Sequence, residues 1–168
     1  MSSTQDTTLA EVTCFYANGQ LMEQEFWNHG YLDGERKEWF ENGLLHRQEF
    51  YRRGILEGER KIWHENGKLW THEFHEGGVW EGTWKSWRDN GSVFVKQFFR
   101  NGWREGEIKS WDVDGQIRKQ EFYKNGNRID PCFTRNKKFG FCRIKRYFQK
   151  GSLSLLDTVL ISDLFRIV

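Results

Sequence analysis

Proline is almost missing from this chain of 168 residues: Pro131 is the only one. Every backbone N–H before it is therefore available for strand ladders. The three cysteines, Cys14, Cys132 and Cys142, are an odd number without C-x-x-C spacing. That argues against a disulfide framework or a zinc site and fits reduced thiols. No long apolar run occurs, and no charged, apolar and small-residue leader opens the chain, where "MSSTQDTTLAEV" reads as a polar tail. The expectation is a soluble, intracellular protein without a signal peptide or a transmembrane segment. Hydrophobic residues amount to only 37%, yet aromatics reach 17% and include nine tryptophans. The core must then be thin and aromatic. The length suits one domain, with or without an appendage.

What the chain has in abundance is periodicity. Glycine recurs every 24 residues at Gly19, Gly43, Gly67, Gly91 and Gly115, and again at Gly30, Gly54, Gly78, Gly102 and Gly126. A third series, Gly34, Gly58, Gly82 and Gly106, stops where Asp130 takes the fifth place. Aromatics keep the same register at Phe15, Trp39, Trp63, Trp87 and Trp111. So do aliphatics at Leu21, Leu45, Leu69, Val93 and Ile117, and phenylalanines at Phe26, Phe50, Phe74, Phe98 and Phe122. A fixed period of this size marks stacked units, each too small to bury its own apolar face. In "GLLHRQEFYRRGILEGERKIW" a strand-like run lies between the first and second glycines and another follows the third, so each unit reads as a β-hairpin. Hairpins added side by side at about 4.8 Å per strand give a rod of about 45 to 50 Å.

Two expectations concern pairing within this rod. Glu25, Glu49, Glu73 and Glu121, with Gln97 in the fourth unit, stand 12 residues before Lys37, Lys61, Lys85 and Lys109. Antiparallel pairing about the glycine turn would set each acid opposite a lysine, a cross-strand salt-bridge ladder. The aliphatic and phenylalanine columns, in contrast, are five apart. An unbroken strand points them to opposite faces, so either a bulge intervenes or one column is exposed.

The recurring aromatic-x-x-N-G, E-F-Y-x-x-G and L-x-G-E-x-K elements resemble MORN repeats. The variant form found in YwqK-family antitoxin proteins and in giant DNA viruses is the closer match. The resemblance spans residues 15–130 and implies a curved, single-layer β-meander that serves protein association, dimerisation or attachment near membranes. It also implies, as expectations, a viral or virion-associated scaffold located in the host cytoplasm or the virion, or an antitoxin that blocks a toxin. The full expectation is a mainly β, elongated meander of about five 24-residue hairpin units with a short α-helical C-terminal cap. Residues 1–14 would form the tail, 15–130 the repeats, 131–151 a basic aromatic segment, and 152–168 a hydrophobic C-terminal element.

The net charge of +2 is unevenly spread. Residues 128–150 carry eight basic side chains against Asp130 alone. Plotted as a helix, Phe141, Ile144, Tyr147 and Phe148 share one side, and Arg143, Arg146 and Lys150 the other. This segment reads as a cap over the last hairpin, or as a contact for an anionic membrane surface; nucleic acid is the weaker reading. In the last stretch, "SLSLLDTVLISDLFRIV", Leu156, Leu160, Leu164 and Ile167 fall at helical spacing and suit docking on the rod or on a second chain.

Catalysis requires groups converging on a pocket. Here polar residues are spread along columns, and the H-E-F-H of His72 and His75 points to opposite faces of a strand. No catalytic residue, metal ligand or cofactor is therefore expected. The remaining candidates are for partner binding: Trp70, Trp80, Trp84 and Trp103, all outside the repeated tryptophan column, together with Arg143, Arg146 and Lys150. Trp80 and Trp103 stand just past the second glycine of their units, which predicts an apolar ridge on the turn side. The expected partners are proteins, homo-oligomerisation included.

Overall fold

The computed structural model describes residues 9–129. They form one antiparallel sheet of fifteen strands. The first unit supplies β1 (Ala10–Phe15), β2 (Leu21–Asn28) and β3 (Tyr31–Leu32). The pattern recurs as β4 (Gly34–Trp39), β5 (Leu45–Arg52), β6 (Ile55–Leu56), β7 (Gly58–Trp63), β8 (Leu69–Glu76) and β9 (Val79–Trp80). It continues with β10 (Gly82–Trp87), β11 (Val93–Arg100), β12 (Trp103–Arg104), β13 (Gly106–Trp111), β14 (Ile117–Lys124) and β15 (Asn127–Ile129). The long strands pair in chain order, while β3, β6, β9 and β12 fold back as two-residue strands on β2, β5, β8 and β11. The expected single-layer meander of hairpins is the observed architecture. It begins earlier than expected, because β1 opens at Ala10, inside the stretch read as a polar tail. The expected helical cap, the basic segment and the hydrophobic C-terminal element lie outside the described residues.

Two kinds of turn explain the glycine series. Between β2 and β3, His29 and Gly30 have φ of 48° and 80°, the two-residue loop with both φ positive whose twist matches that of the strands. Between β4 and β5, the Phe40 carbonyl accepts the Gly43 N–H at 2.9 Å and Phe40 N–H donates to the Leu44 carbonyl at 2.8 Å. This is a three-residue loop closed by a left-handed glycine, φ 82°. Successive units are tied at both rims. The turn asparagines donate to the next unit, Asn42 Nδ2 to the Glu65 carbonyl at 3.1 Å and Asn66 Nδ2 to the Asp89 carbonyl at 2.8 Å. At the other rim Gly54, Gly78, Gly102 and Gly126 N–H groups bond carbonyls of the preceding unit.

The five-residue spacing is resolved by a bulge in every unit. Glu38 faces Arg47 and Trp39 faces Leu45, leaving His46 as the extra residue. The same shift recurs at Trp63, Trp87 and Trp111. One added residue restores parity, so the tryptophan, aliphatic and phenylalanine columns share one face.

That face also carries Lys37, Lys61, Lys85 and Lys109. The register places Lys37 opposite Gln48 and Arg36 opposite Glu49, which corrects the expected Glu–Lys ladder. The acids stand on the other face, where Glu49 and Glu73 are opposite Arg36 and Arg60, Glu25 is opposite Val12 and Glu121 is opposite Ile108. Strand alternation makes the two faces unlike, and burial is concentrated on the glutamate face: Glu49, Thr71, Glu73, His75, Ser86 and Phe99 are the buried residues. Phe99 is the only buried hydrophobic residue among those described. Among the described residues no second layer covers the sheet, so its best-protected groups are mostly polar: Glu49 and Glu73 are hydrogen-bonded, while Thr71 Oγ1, His75 Nδ1 and Ser86 Oγ have no partner.

Candidate functional site

Across the middle of the glutamate face runs a chain of alternating charges. Arg36 Nε donates to Glu25 at 2.8 Å and Nη2 bonds Glu23, while Nη1 reaches Glu49 at 3.4 Å. Glu49 also receives Arg60 Nε at 2.6 Å, and Arg60 Nη1 donates onward to Glu73 at 2.7 Å. Burial alone would lower the pKa of both guanidiniums. Glu23, Glu38 and Glu25 outweigh it at Arg36, and Glu49 and Glu73 at Arg60, so both are held above the ordinary arginine value. The chain is a charged, hydrogen-bonded substitute for an apolar core.

An aromatic column beside it entered the sequence reading only as the tyrosine of E-F-Y-x-x-G, not as a column of all five units. Trp27, Tyr51, His75, Phe99 and Tyr123 follow the phenylalanine column by one residue and therefore lie on the opposite face. Trp27 Nε1 donates to Glu25 at 2.9 Å and Tyr51 Oη to Glu49 at 3.0 Å, so each ring steadies the acid two residues before it. The signal was present as an aromatic in all five units. Its varied residue types hid it.

At Glu73 the chain of charges stops. The next position in the arginine column is Trp84, then Ile108, and the next in the glutamate column is Gln97. Glu73 Oε2 accepts the indole N–H groups of Trp80 and Trp84, each at 2.8 Å. The Trp80 ring packs on Phe99 with centroids 5.0 Å apart. Trp103, 63% exposed, lies against Gly126, where an added Cβ would collide with its ring. Trp80, Trp84, Phe99 and Trp103 line a hollow of about 370 Å³ that also includes Gln97 and Arg104. A second hollow of about 480 Å³ shares Trp84, Gln97 and Arg104 with it and extends over Ile108 to Arg118 and Lys119. Ser86 lines this second hollow, and its buried hydroxyl has no hydrogen-bond partner. The floor is thus aromatic with one unused hydroxyl, and the rim carries Arg104, Arg118 and Lys119, the last paired with Glu121, which also lines the second hollow.

Of the residues expected to bind a partner, the structure brings Trp80, Trp84 and Trp103 together. It does not join Trp70 to them. Trp70 is a bulge residue and stacks on His64, centroids 5.5 Å apart, at the opposite rim. Arg143, Arg146 and Lys150 lie outside the described residues. Ile108 and Phe99 were missed, because the sequence reading followed tryptophans rather than the simultaneous break of two charged columns. Among the described residues no group of three or more His, Cys, Asp or Glu is placed to hold a metal ion, and no helix is long and apolar enough to cross a membrane.

A family model described as the MORN repeat variant matches residues 10–29, 32–53, 56–76, 80–102 and 104–125. A search of curated proteins returns no match.

Proposed function

The chain belongs to the MORN repeat variant family, and from that premise we propose that it is a non-enzymatic scaffold whose fourth and fifth units seat a protein partner. Such repeats generally mediate interaction with proteins or membranes. The observation that carries the reading is the loss, within one unit, of both Glu and Arg from the charged chain, and the Trp80, Trp84, Phe99 and Trp103 hollow that takes their place. Tryptophan anchors in a desolvated hollow with a polar rim are the usual carriers of binding energy between proteins. The partner fitting this surface offers an apolar anchor for the hollow and carboxylates for Arg104 and Arg118. A membrane reading is less favoured on this face, because the units preceding the hollow set Glu23, Glu25, Glu38, Glu49 and Glu73 against only Arg36, Arg47 and Arg60, which leaves no positive excess for an anionic surface.

The test is affinity capture from the native host with the wild-type chain and with the double variant Trp84→Arg, Gln97→Glu, which restores the pattern of the second and third units. The expected result is a partner recovered by the wild type and lost by the double variant, with both chains equally folded. Recovery of an identical set of proteins by both would sink the proposal.

A further inference from the structure

The lysine face repeats a neutral triad. Glu35 receives Lys37 Nζ at 2.6 Å and Gln48 Nε2 at 2.5 Å. Glu59 does the same for Lys61 and for His72, at 3.2 Å, and Glu107 for Lys109, at 2.7 Å, and Gln120. The fourth unit breaks the triad twice: Thr83 stands in the glutamate column and Lys96 in the Gln48 column. Lys85 and Lys96 are directly opposite across β10 and β11, and Lys96 is directly opposite Lys109 on β13. Among the described residues neither Lys85 nor Lys96 has an acidic partner, whereas Lys37, Lys61 and Lys109 each have one. Like charges set opposite one another on a sheet are destabilising, so this unit carries two lysines with no acid within salt-bridge distance among the described residues; Glu107, already bonded to Lys109, is influenced by Lys96 only at longer range.

We propose that Thr83, Lys85 and Lys96 form a receptor for one phosphate monoester on a phosphorylated segment of a protein partner. The two ammonium groups match the dianion, and the exposed Thr83 hydroxyl adds a third donor for its three acceptor oxygens. The neighbours on the same face set the size of the ligand. His72, opposite Lys85, leads back to Glu59, and Lys109 leads on to Glu107. Lys109 bonds its own acid, and its hydrogen bond to Glu107 is the main cause of that carboxyl lying below the ordinary range. These acids neutralise Lys61 and Lys109 on either side of the pair, so the face offers no continuous positive track for a polynucleotide backbone or an anionic bilayer. They leave room for one compact anion between them. The receptor is on the face opposite the Trp80–Trp84 hollow and does not depend on the reading of that hollow.

The probe is a capped Gly-Gly-phosphoserine-Gly-Gly peptide, titrated into the isotope-labelled full chain and followed through backbone amide shifts in NMR. Saturable shifts are expected at Thr83, Lys85 and Lys96, with affinity lowered about tenfold or more by Thr83→Glu and by Lys96→Gln, as loss of a charge-assisted bond implies. Thr83→Glu reinstates the residue of the four other units, Glu11, Glu35, Glu59 and Glu107, so the fold is retained, and its unshifted amides elsewhere verify that. Trp84→Arg is expected to bind the peptide as the wild type does. Equal binding of the serine peptide, or unchanged binding by Thr83→Glu, would overturn the proposal. So would vesicles containing phosphatidylinositol phosphate that bind in a Thr83→Glu-sensitive manner when the peptide does not.

Discussion

His75 shows how one residue departs from its column with a measurable consequence. Its ring is 5% exposed, its Nδ1 has no hydrogen-bond partner, and it sits where Tyr51 bonds Glu49 in the preceding unit. Burial is the main cause of a pKa below the ordinary 6.5, with Glu73 opposing and Arg60 assisting. The unfolded chain therefore takes up the proton first as the pH falls. Stability from the neutral ring is complete above the unfolded value and is lost as the pH drops through the folded one. His46, whose pKa is also lowered by burial and by Arg47, contributes in the same direction. Urea midpoints at about pH 7.5 and about pH 5.5 are expected to fall for the wild type and to fall less for His75→Tyr, whose hydroxyl reproduces the Tyr51 bond. An identical fall in both would remove His75 from the account.

A hairpin here is held by the pairing of its own strands and by ties to the next hairpin, some of which run through turn residues. Asn66 accepts the Lys68 N–H through Oδ1 at 3.0 Å and donates to the Asp89 carbonyl at 2.8 Å. Asn66→Ala removes one bond within the turn and one between units, at an expected cost of about 1 to 3 kcal/mol in chemical denaturation. Asn66→Asp, which keeps only the acceptor, is expected to recover part of that; full recovery would show the inter-unit bond to be idle. The sequence made the hairpins legible because asparagine and glycine must be where the chain reverses. It made the register less legible. Glu49 and Lys61 are 12 apart and both columns are repetitive, yet the true partners Glu49 and Arg60 are 11 apart and the arginine column has only two members, Arg36 and Arg60. Lysine recurs because its exposed face tolerates one residue type throughout, whereas arginine gives way to Trp84 and Ile108 where the buried face changes. The Trp80, Trp84 and Trp103 cluster was readable as departures from a column. That they converge around Phe99 and Gln97 required the bulge and the parity it sets, and the five-residue spacing left open whether a bulge or an exposed column explains it.

At the scale of the molecule, each unit of the described sheet pairs only with its neighbours, since the long strands follow chain order without a crossover. Stability in such arrays is close to a sum of unit and interface contributions, and an internal unit is dispensable if its columns close up behind it. Excision of residues 45–68 satisfies that condition. Leu44 would be followed by Leu69 in the same column, Arg36 would meet Glu73 in place of Glu49, and Asn42 would face Asp89 in place of Glu65. The charged chain would be shorter by one Glu and one Arg but unbroken, still ending on the indole N–H groups of Trp80 and Trp84. The excised chain is therefore expected to fold with the same β-sheet circular dichroism, to melt at a lower temperature, and to keep both the Trp hollow and the Lys85–Lys96 pair in working order. Excision of residues 84–107 by the same rule would join Thr83 to Ile108 and preserve the columns, yet remove Trp84, Lys85, Lys96, Gln97, Phe99 and Trp103 together. It is expected to fold comparably and to lose both partner capture and phosphopeptide binding. If the two excisions were equally competent in binding, recognition would belong to the repeat as such rather than to the unit in which the two charged columns and the neutral triad break.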